Sequence, residues 1–533
     1  MFIPSLLAYW QAILYAATCC VAVEANSTLL AGGTIIAFNE GENALQVIRD
    51  GSLLVTGDRI AGIYESGKTP SDIPEHTVVN VTNKIITPGF IDTHRHGWQT
   101  SMKTLASNTT LWEYFGRFSE FASVGVFSAE DVYLSQLASV YEAVNAGVTT
   151  VLDHAHHTWS NETSNAGLRA SIDSGARVFW AYAFHNVTNF TVPEQIANFR
   201  DIAQKSTFKD TPTSLGIAYD YFGSDPEEQV KDIVDLAMEL NVSVVTTHTL
   251  QGPFGSKNTA SKGLAILLTI PVSNSPIHLE QLGLLASSIP IVFSHASFLT
   301  YQELQLLRKT NQYISITPES EMHYGHTHPH SHLAMDQAAL GVDTHFTFSA
   351  DILTQARIWL QKVRYLIFTG PLELWRVPSN NPMSVNQAFL LATRNGGLAL
   401  HRPDLGVITE GAKADLLVWD GTSPSMLGWN DPVAAVILHA SVGDIEHVLV
   451  DGKFVKKDGK LTNTDYPAIR DRFLESAKRI QGVFLERARP IPEPGEHFGG
   501  EDVGGELMEV MLVDAVRGDG SGYGTEFLDG SKP

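Results

Sequence analysis

Cysteine is almost missing from this chain of 533 residues. Its two cysteines, Cys19 and Cys20, are adjacent and lie within residues 1–25, a segment with the pattern of a secretory signal. After removal of that segment the mature chain contains no cysteine. A disulfide framework of the kind that holds small secreted domains together is therefore excluded, and the fold must depend on a buried apolar core.

Basic side chains are also scarce, because 36 lysines and arginines stand against 58 aspartates and glutamates. The net charge of −22 repels phosphate backbones and anionic membrane surfaces. Nucleic acid is therefore not expected as a partner, and a small-molecule substrate is. The remaining composition, 44% hydrophobic and 18% charged, is ordinary for a globular protein with a large core.

The N-terminal segment has no lysine or arginine ahead of its apolar run, yet it is predicted to be a cleaved signal peptide. Residues 6–22 are apolar and almost uncharged, and Val23 and Ala25 are small residues at the positions that a signal peptidase reads. The alternative is an uncleaved membrane anchor, because residues 6–23 are just long enough to span a bilayer. Cleavage predicts a secreted, extracellular protein without stable membrane association.

Triplets for asparagine glycosylation support this secretory route. They begin at Asn26, Asn80, Asn108, Asn161, Asn186, Asn189 and Asn241. Asn241 precedes a buried-looking strand and is not expected to carry a glycan.

Both ends of the chain are rich in short apolar runs broken by glycine and aspartate, a texture typical of strands. Residues 26–86 and 406–465 are therefore predicted to form one small β-sandwich module from both chain ends. Residues 466–489 have the pattern of a charged amphipathic helix. Residues 490–533 are acidic and glycine-rich and are predicted to be a disordered tail.

The middle of the chain, residues 87–405, alternates apolar strands with helix-length amphipathic segments. The predicted strands are 86–92, 149–153, 178–184, 215–221, 242–247, 289–294, 313–317 and 345–349. Eight strands alternating with helices indicate a (β/α)₈ barrel, an α/β fold of the TIM-barrel type. A chain of this length suits one such barrel with an accessory module.

Histidines and an acid stand at the ends of several of these strands. His94 and His96 end the first strand, His248 the fifth, His295 the sixth and Asp351 the eighth. Alternate residues of a strand share a face, so the His-x-His pair directs two imidazoles into the barrel mouth, where catalytic groups of such barrels gather. The imidazoles of His94, His96 and His248 with the carboxylate of Asp351 suit one divalent metal. Zn²⁺ is favoured, with Fe²⁺ or Mn²⁺ as alternatives.

Each of these residues also has a simpler explanation. A single histidine at such a position is commonly a buried, hydrogen-bonded core residue. Asp351 by itself could be the N-cap of the helical stretch that follows it. The joint occurrence at strand ends favours the metal site.

Residues 88–99, with the sequence PGFIDTHRHGWQ, resemble the first-strand signature of the amidohydrolase superfamily. The branch that looks most similar contains cytosine and guanine deaminases, S-adenosylhomocysteine/methylthioadenosine deaminases and triazine chlorohydrolases. The resemblance covers residues 28–465 and continues through residues 247–248, 294–296, 349–351, 406–418, 431–433 and 450–452.

This resemblance implies roles for the strand-end residues. His94, His96, His248 and Asp351 would bind the metal, and Asp351 would also take a proton from the hydrolytic water. His295 would polarise that water or the substrate. Binuclear relatives place a carbamylated lysine on the fourth strand, and since residues 213–221 contain no lysine, one metal is predicted.

One residue departs from the family pattern. Deaminases of this branch usually carry glutamate three residues after the fifth-strand histidine, where this chain has Gln251. Glutamine cannot transfer a proton in the same way. Either Gln251 orients the substrate or another acid replaces it, with Glu319 and Glu321 as candidates that could equally lie in a solvated loop.

Further residues near the predicted strand ends are candidates for substrate binding: Trp98, Gln99, His154 and His323. Trp98 could equally be plain barrel packing. The alternating histidines after strands two and seven could hold a second metal, although lining or capping the pocket is the preferred interpretation.

The predicted function is hydrolysis of a carbon–nitrogen bond, as deamination of an aminated heterocycle. Cleavage of an amide or N-acyl bond and hydrolysis of a carbon–halogen bond are alternatives on the same site. A non-enzymatic scaffold is disfavoured because all the expected ligands are present. Self-association into a homo-oligomer stays open.

Overall fold

The computed structural model describes residues 27–68, 76–254, 274–326, 331–487, 493–498 and 505–510. The predicted signal peptide, residues 1–25, and most of the predicted tail lie outside these described residues. Among the described residues, no helix is both long and apolar enough to cross a membrane.

Seventeen strands are described. They are β1 (Ser27–Asn39), β2 (Ala44–Thr56), β3 (Arg59–Tyr64), β4 (His76–Asn80), β5 (Lys84–Pro88), β6 (Phe90–Arg95), β7 (Val148–Ala155), β8 (Arg177–Phe184), β9 (Ser214–Tyr219), β10 (Val245–Thr249), β11 (Ile291–His295), β12 (Tyr313–Ile316), β13 (Ala338–Leu340), β14 (Leu416–Asp420), β15 (Ile445–Val450), β16 (Lys453–Lys457) and β17 (Lys460–Leu461).

The α-helices of the described residues alternate with the central strands. They are Leu111–Arg117, Glu120–Ser123, Ala129–Asn145, Asn161–Asp173, Val192–Lys205, Glu227–Leu240, Pro276–Gln281, Tyr301–Thr310, Pro318–His323, Ile352–Glu373, Val385–Ala392, Arg394–Ala399, Pro432–Ala434 and Tyr466–Glu486. Several begin with a serine or threonine N-cap, such as Ser128 and Thr300, whose side chain accepts from the third helical backbone N–H.

Strands β6 to β13 form one parallel sheet in chain order, and its two edges meet. The amides of Val342 and Asp343, just after β13, donate to the carbonyl of His94 on β6 at 3.0 and 2.7 Å. The sheet is thus a nearly closed barrel, which confirms the predicted fold class. In a parallel barrel all strands end at the same rim, so side chains at their carboxyl ends converge.

The eighth strand differs from its prediction. Residues 345–347 form a turn and no strand follows them up to residue 349, and the eighth strand is the buried segment β13. The sequence His345 to Ser349 alternates like a strand, but His345 bonds to Thr100 at 2.8 Å and Phe346 packs on Phe118. Because β13 has three residues, it gives too short an apolar run to be recognised by pattern.

The strands of both chain ends form a second sheet of nine strands. Its order is β17-β16-β15-β14-β5-β1-β2-β3, with β4 beside β1, so β5 and β14 join the N-terminal and C-terminal parts. Arg177 at the start of β8 ties this sheet to the barrel through two hydrogen bonds to Asp415, at 2.8 and 3.1 Å. The predicted composite module is therefore built from both ends of the chain.

The helix Tyr466–Glu486 packs on the barrel close to the rim. Ser476 donates to Asp131 at 2.5 Å, and Gln481 donates to the carbonyl of Ser101 at 2.9 Å. Ile480 and Phe484 complete an aromatic cluster that lies over the C-terminal strand ends. This helix supports the rim from outside.

Candidate active site

Four imidazoles meet at the carboxyl ends of β6, β10 and β11. The ring centroid of His94 lies 4.7 Å from that of His96, 4.8 Å from that of His248 and 5.2 Å from that of His295. His94, His96 and His295 are buried, whereas about a fifth of the His248 side chain is exposed, 21%. The predicted convergence of residues from distant parts of the chain is therefore present.

Hydrogen bonds orient three of these rings. On each ring Nδ1 is held by a group from another strand, which leaves Nε2 directed at the shared centre. The bonds are His94 to Ser294 Oγ (2.8 Å), His96 to the carbonyl of His154 (3.1 Å) and His248 to Asp220 Oδ2 (2.8 Å).

The carboxylate that meets these rings is Asp343, which follows β13. Its Oδ1 lies 3.0 Å from His96 Nε2 and 3.3 Å from His94 Nε2. Its Oδ2 lies 3.9 Å from His295 Nε2 and accepts a 2.5 Å hydrogen bond from Ser320. Asp343 thus faces two imidazoles with one oxygen and His295 with the other.

Asp351, predicted as a metal ligand and base, lies elsewhere, and its place is taken by Asp343. The Asp351 oxygens accept from the backbone N–H and the hydroxyl of Thr354, at 2.6 and 2.8 Å, and so cap the helix Ile352–Glu373. The correction has the same origin as that of the eighth strand. Because the strand ends at Leu340, the first acid beyond it is Asp343.

Charge states in the site favour metal coordination. Burial lowers the pKa of His94 well below its ordinary value, so this ring is neutral at pH 7. Burial alone would raise the pKa of Asp343, but the imidazoles of His94, His96 and His295 hold it well below its usual range. Neutral imidazole and ionised carboxylate are the forms that bind divalent metals.

His295 has a backbone conformation that L-residues rarely adopt. Its φ is +68°, and that of Ala296 is +50°. The ring Nδ1 donates to Thr317 Oγ1 at 2.9 Å, Thr317 Oγ1 donates to Glu321 at 3.3 Å, and Glu321 Oε1 lies 3.6 Å from the same nitrogen. Nε2 is thereby left facing Asp343.

The two acids suggested as replacements for the missing glutamate differ in position. Glu321 is buried behind His295, as just described. Glu319 instead accepts hydrogen bonds from Ser349 and, at 3.0 Å, from Gln355. Of these two candidates, the structure therefore brings Glu321 to the histidines.

Gln251 is tied to the helix Tyr301–Thr310. Its Nε2 donates to Glu303 Oε1 at 2.8 Å, and Glu303 completes the capping box of that helix with Thr300. The predicted role of Gln251 in orienting substrate stays a prediction, since this bond uses one of its two amide N–H groups.

Of the predicted substrate-binding residues, His154 alone contacts the histidine group. Its ring centroid lies 4.5 Å from that of His248. Trp98 packs between Phe127 and Trp159, with centroids at 5.3 and 5.1 Å, so the simpler core interpretation describes it.

Gln99 and His323 have partners in the elements that cover the rim. Gln99 is fully buried and donates to the hydroxyl of Tyr114 at 2.9 Å. His323 Nε2 donates to the carbonyl of Ala106 at 3.2 Å. Both belong to the wall around the site rather than to its centre.

Asp220 is a site residue that sequence reasoning missed. It follows β9, and its Oδ2 holds His248 Nδ1 while lying 3.3 Å from His154 Nε2. Burial alone would raise its pKa, but His248 and His154 hold that pKa well below its ordinary value. An acid at the end of the fourth predicted strand is the feature of the sequence that could have identified Asp220. The prediction for that strand considered only lysine.

The imidazoles and carboxylate lie at the carboxyl-end rim of a parallel (β/α)₈ barrel, where enzymes of this fold hold their catalytic groups, and they place the chain among the (β/α)₈-barrel enzymes. Residues 85–455 match the amidohydrolase family, and the chain belongs to this family. Within that family it is a hydrolase of carbon–nitrogen bonds other than peptide bonds.

Curated relatives resemble about four fifths of the chain or more. A 5-methylthioadenosine/S-adenosylhomocysteine deaminase of Pelotomaculum thermopropionicum is 23% identical over 457 residues, covering 85% of this chain and 98% of the relative. A deaminase of the same name from Pyrococcus horikoshii is 24% identical over 438 residues, covering 79% and 94%.

Solved structures share the fold. An adenosine deaminase from Xanthomonas campestris with bound zinc superimposes with a TM-score of 0.71 at 17% identity, covering 86% of this chain and 99% of that one. An atrazine chlorohydrolase from Arthrobacter aurescens complexed with zinc has a TM-score of 0.70 at 18% identity, covering 85% and 100%. These likenesses support the barrel.

Proposed function

We propose that the chain is a metal-dependent deaminase of an aminated heterocycle, a small molecule, with a divalent metal held by His94, His96, His248 and Asp343. The observation that carries the proposal is the convergence of ligand-type atoms, since one atom each from His94, His248, His295 and Asp343 lie within 4.8 Å of one another. Relatives of nearly full length named as deaminases support the reaction class.

The residues present fit a metal of the zinc type. His94 Nε2 is buried and makes no hydrogen bond to any described residue, although it faces the shared centre. Nitrogen ligands with one carboxylate suit Zn²⁺, and zinc is bound in the two solved structures named above. A divalent metal held there would lower the pKa of a water ligand from 15.7 towards about 7 and so supply hydroxide at neutral pH.

Asp343 and His295 are the groups that would move protons. Deamination requires a proton to be taken from the attacking water and delivered to the heterocycle and its leaving amine. Asp343 Oδ2 faces His295 Nε2 at 3.9 Å, a separation of the kind that shortens when substrate binds. Glu321 and Thr317 hold the Nδ1 side of the His295 ring, so Nε2 faces Asp343, and Asp343 and His295 together take the place of the glutamate that the chain lacks at Gln251.

The test is ammonia release by the purified, metal-analysed protein. The substrate panel holds 5-methylthioadenosine, S-adenosylhomocysteine, adenosine and simpler aminated purines and pyrimidines. We expect ammonia from at least one of them, loss of turnover after chelation, and recovery with zinc. A metal-replete protein that releases no ammonia from the panel, or that is unaffected by metal removal, would contradict the proposal.

Hydrolysis of a carbon–halogen bond is a second candidate, and Gln251 is the observation that favours it. A halide leaves without being protonated, so a glutamine that cannot donate a proton is no obstacle. A halogenated aminotriazine included in the panel separates the two reactions, because one releases halide and the other ammonia.

We further propose that the chain enters the secretory route and is glycosylated. The asparagines of the described triplets are all exposed, including Asn241 at the end of the helix Glu227–Leu240. A mass decrease on treatment with an N-glycosidase is expected for protein from a eukaryotic secretory host. An unmodified mass that still includes residues 1–25 would contradict this.

A further inference from the structure

A second group of metal-ligating side chains lies beside the first. His154 lies on β7, His156 follows in the turn after that strand, and Asp220 follows β9. Asp220 Oδ2 lies 3.3 Å from His154 Nε2 and 3.9 Å from His156 Nε2, and the two rings have centroids 4.5 Å apart. Together with His248, each offers one ligand atom within 4.8 Å of the others.

The fold explains why side chains of two non-adjacent strands meet. β8 lies between β7 and β9, and it has alanine at the level of the site. Ala181 pairs with His154, and Ala183 pairs with Ala218 of β9. Small residues on the intervening strand leave space for the histidines and Asp220 to meet across it.

The two histidines are polar and buried without enough hydrogen bonds. Both ring nitrogens of His154 and Nδ1 of His156 make no hydrogen bond to any described residue. A neutral imidazole always carries one N–H donor and one lone-pair acceptor, and burying either unpaired costs free energy. A cation bound at the lone pairs would satisfy part of this need and would fix the orientation of both rings.

We propose that His154, His156 and Asp220 bind a second divalent cation of the zinc type. Two imidazoles and one carboxylate are the ligand set of a catalytic-type zinc centre, with a coordination position left for water or substrate. The absence of a lysine on the fourth strand does not argue against it, because Asp220 supplies the anionic ligand from the end of that strand.

The two centres are linked by one ring. His248 Nε2 lies 3.3 Å from His96 Nε2 in the first group, while its Nδ1 holds Asp220 in the second. Occupation of the second centre would therefore fix the ring of His248 for the first. Asp220 has 20% of its side chain exposed, so the second centre borders solvent and could contact substrate.

The test counts zinc bound per chain. Full-length protein is stripped with a chelator, reloaded with Zn²⁺, freed of excess metal and analysed by mass spectrometry of the element. We expect two equivalents in the wild type, one in His156→Asn and one in Asp343→Asn. His157→Asn, a neighbouring buried histidine outside both groups, is the matched control and should retain two.

The zinc content of the wild type tests the second centre even if a variant fails to fold. One equivalent in the wild type, or two retained by a folded His156→Asn protein, would overturn the second centre. One equivalent in the wild type and none in Asp343→Asn would show that only the first centre binds zinc. The second centre would then be ruled out while the metal site of the proposed function stands. Titration with Co²⁺ should also show two binding steps in the visible spectrum, and a single step would count against the second centre.

Discussion

The two aspartates that follow β13 have different surroundings, and substituting each of them separates their roles. Asp343→Asn should lose the metal of the first centre, and turnover should fall by about 10²- to 10⁴-fold. Asp351→Asn is the matched control, because asparagine is as good an N-cap as aspartate and the helix should be unaffected. Metal content and initial rates measure both. A variant of Asp351 that loses metal while Asp343→Asn retains it would reverse the assignment.

His295 should be separable from the metal ligands in the same way. His295→Asn removes the ring between Asp343 and Glu321, so we expect turnover to fall by about 10²- to 10⁴-fold with the metal of the first centre retained. His278→Asn, on the helix Pro276–Gln281, serves as the control with unchanged turnover. Full activity of His295→Asn would show that proton transfer uses another group.

At the scale of elements, the helix Ile352–Glu373 depends on its N-cap. Asp351→Ala leaves the Thr354 backbone N–H without its acceptor, and such a loss costs about 0.5–2 kcal/mol of unfolding free energy. Urea denaturation of the metal-free protein measures it, with Asp351→Asn as the control. Equal stability of the alanine variant would mean that water replaces the cap.

The sheet of the chain ends contains a buried lysine with a shifted titration. Lys456 on β16 donates to the carbonyl of Asn145 at 2.8 Å, and burial lowers its pKa from 10.5 to about 8. Between these two pH values the unfolded chain binds more protons than the folded one, so this group makes stability rise with pH.

Lys456→Met should remove that rise. Relative to the variant, the wild type should gain about 1–3 kcal/mol of unfolding free energy between about pH 7 and pH 10.5. Exposed Lys457→Met is the control and should follow the wild type. Denaturation curves at several pH values test this, and parallel curves for wild type and Lys456→Met would contradict it.

At the scale of the whole molecule, the sequence is sufficient for the barrel and for part of the site. Seven of the predicted strands are present because long apolar runs ending in polar residues have few alternatives in an α/β fold. The His94 and His96 pair follows from strand alternation alone. The hydrophobic pattern does not fix where along the chain the short eighth strand lies. Because the predicted strand, 345–349, comes after β13, the prediction selects Asp351 instead of Asp343.

Partners across the rim were also beyond sequence reasoning. Nothing in the order of residues indicates that Asp220 holds His248, that Glu303 holds Gln251, or that Trp98 packs in an aromatic cluster. These contacts depend on which strands are separated by small residues and on where the C-terminal helix packs.

The metal site itself can be seen in a crystal structure of the zinc-loaded protein with anomalous data at the zinc edge. We expect an anomalous peak at about 2.0–2.2 Å from Nε2 of His94, His96 and His248 and from one oxygen of Asp343. A zinc-replete crystal with no peak among these four side chains, or with the peak bonded to Asp351, would contradict it.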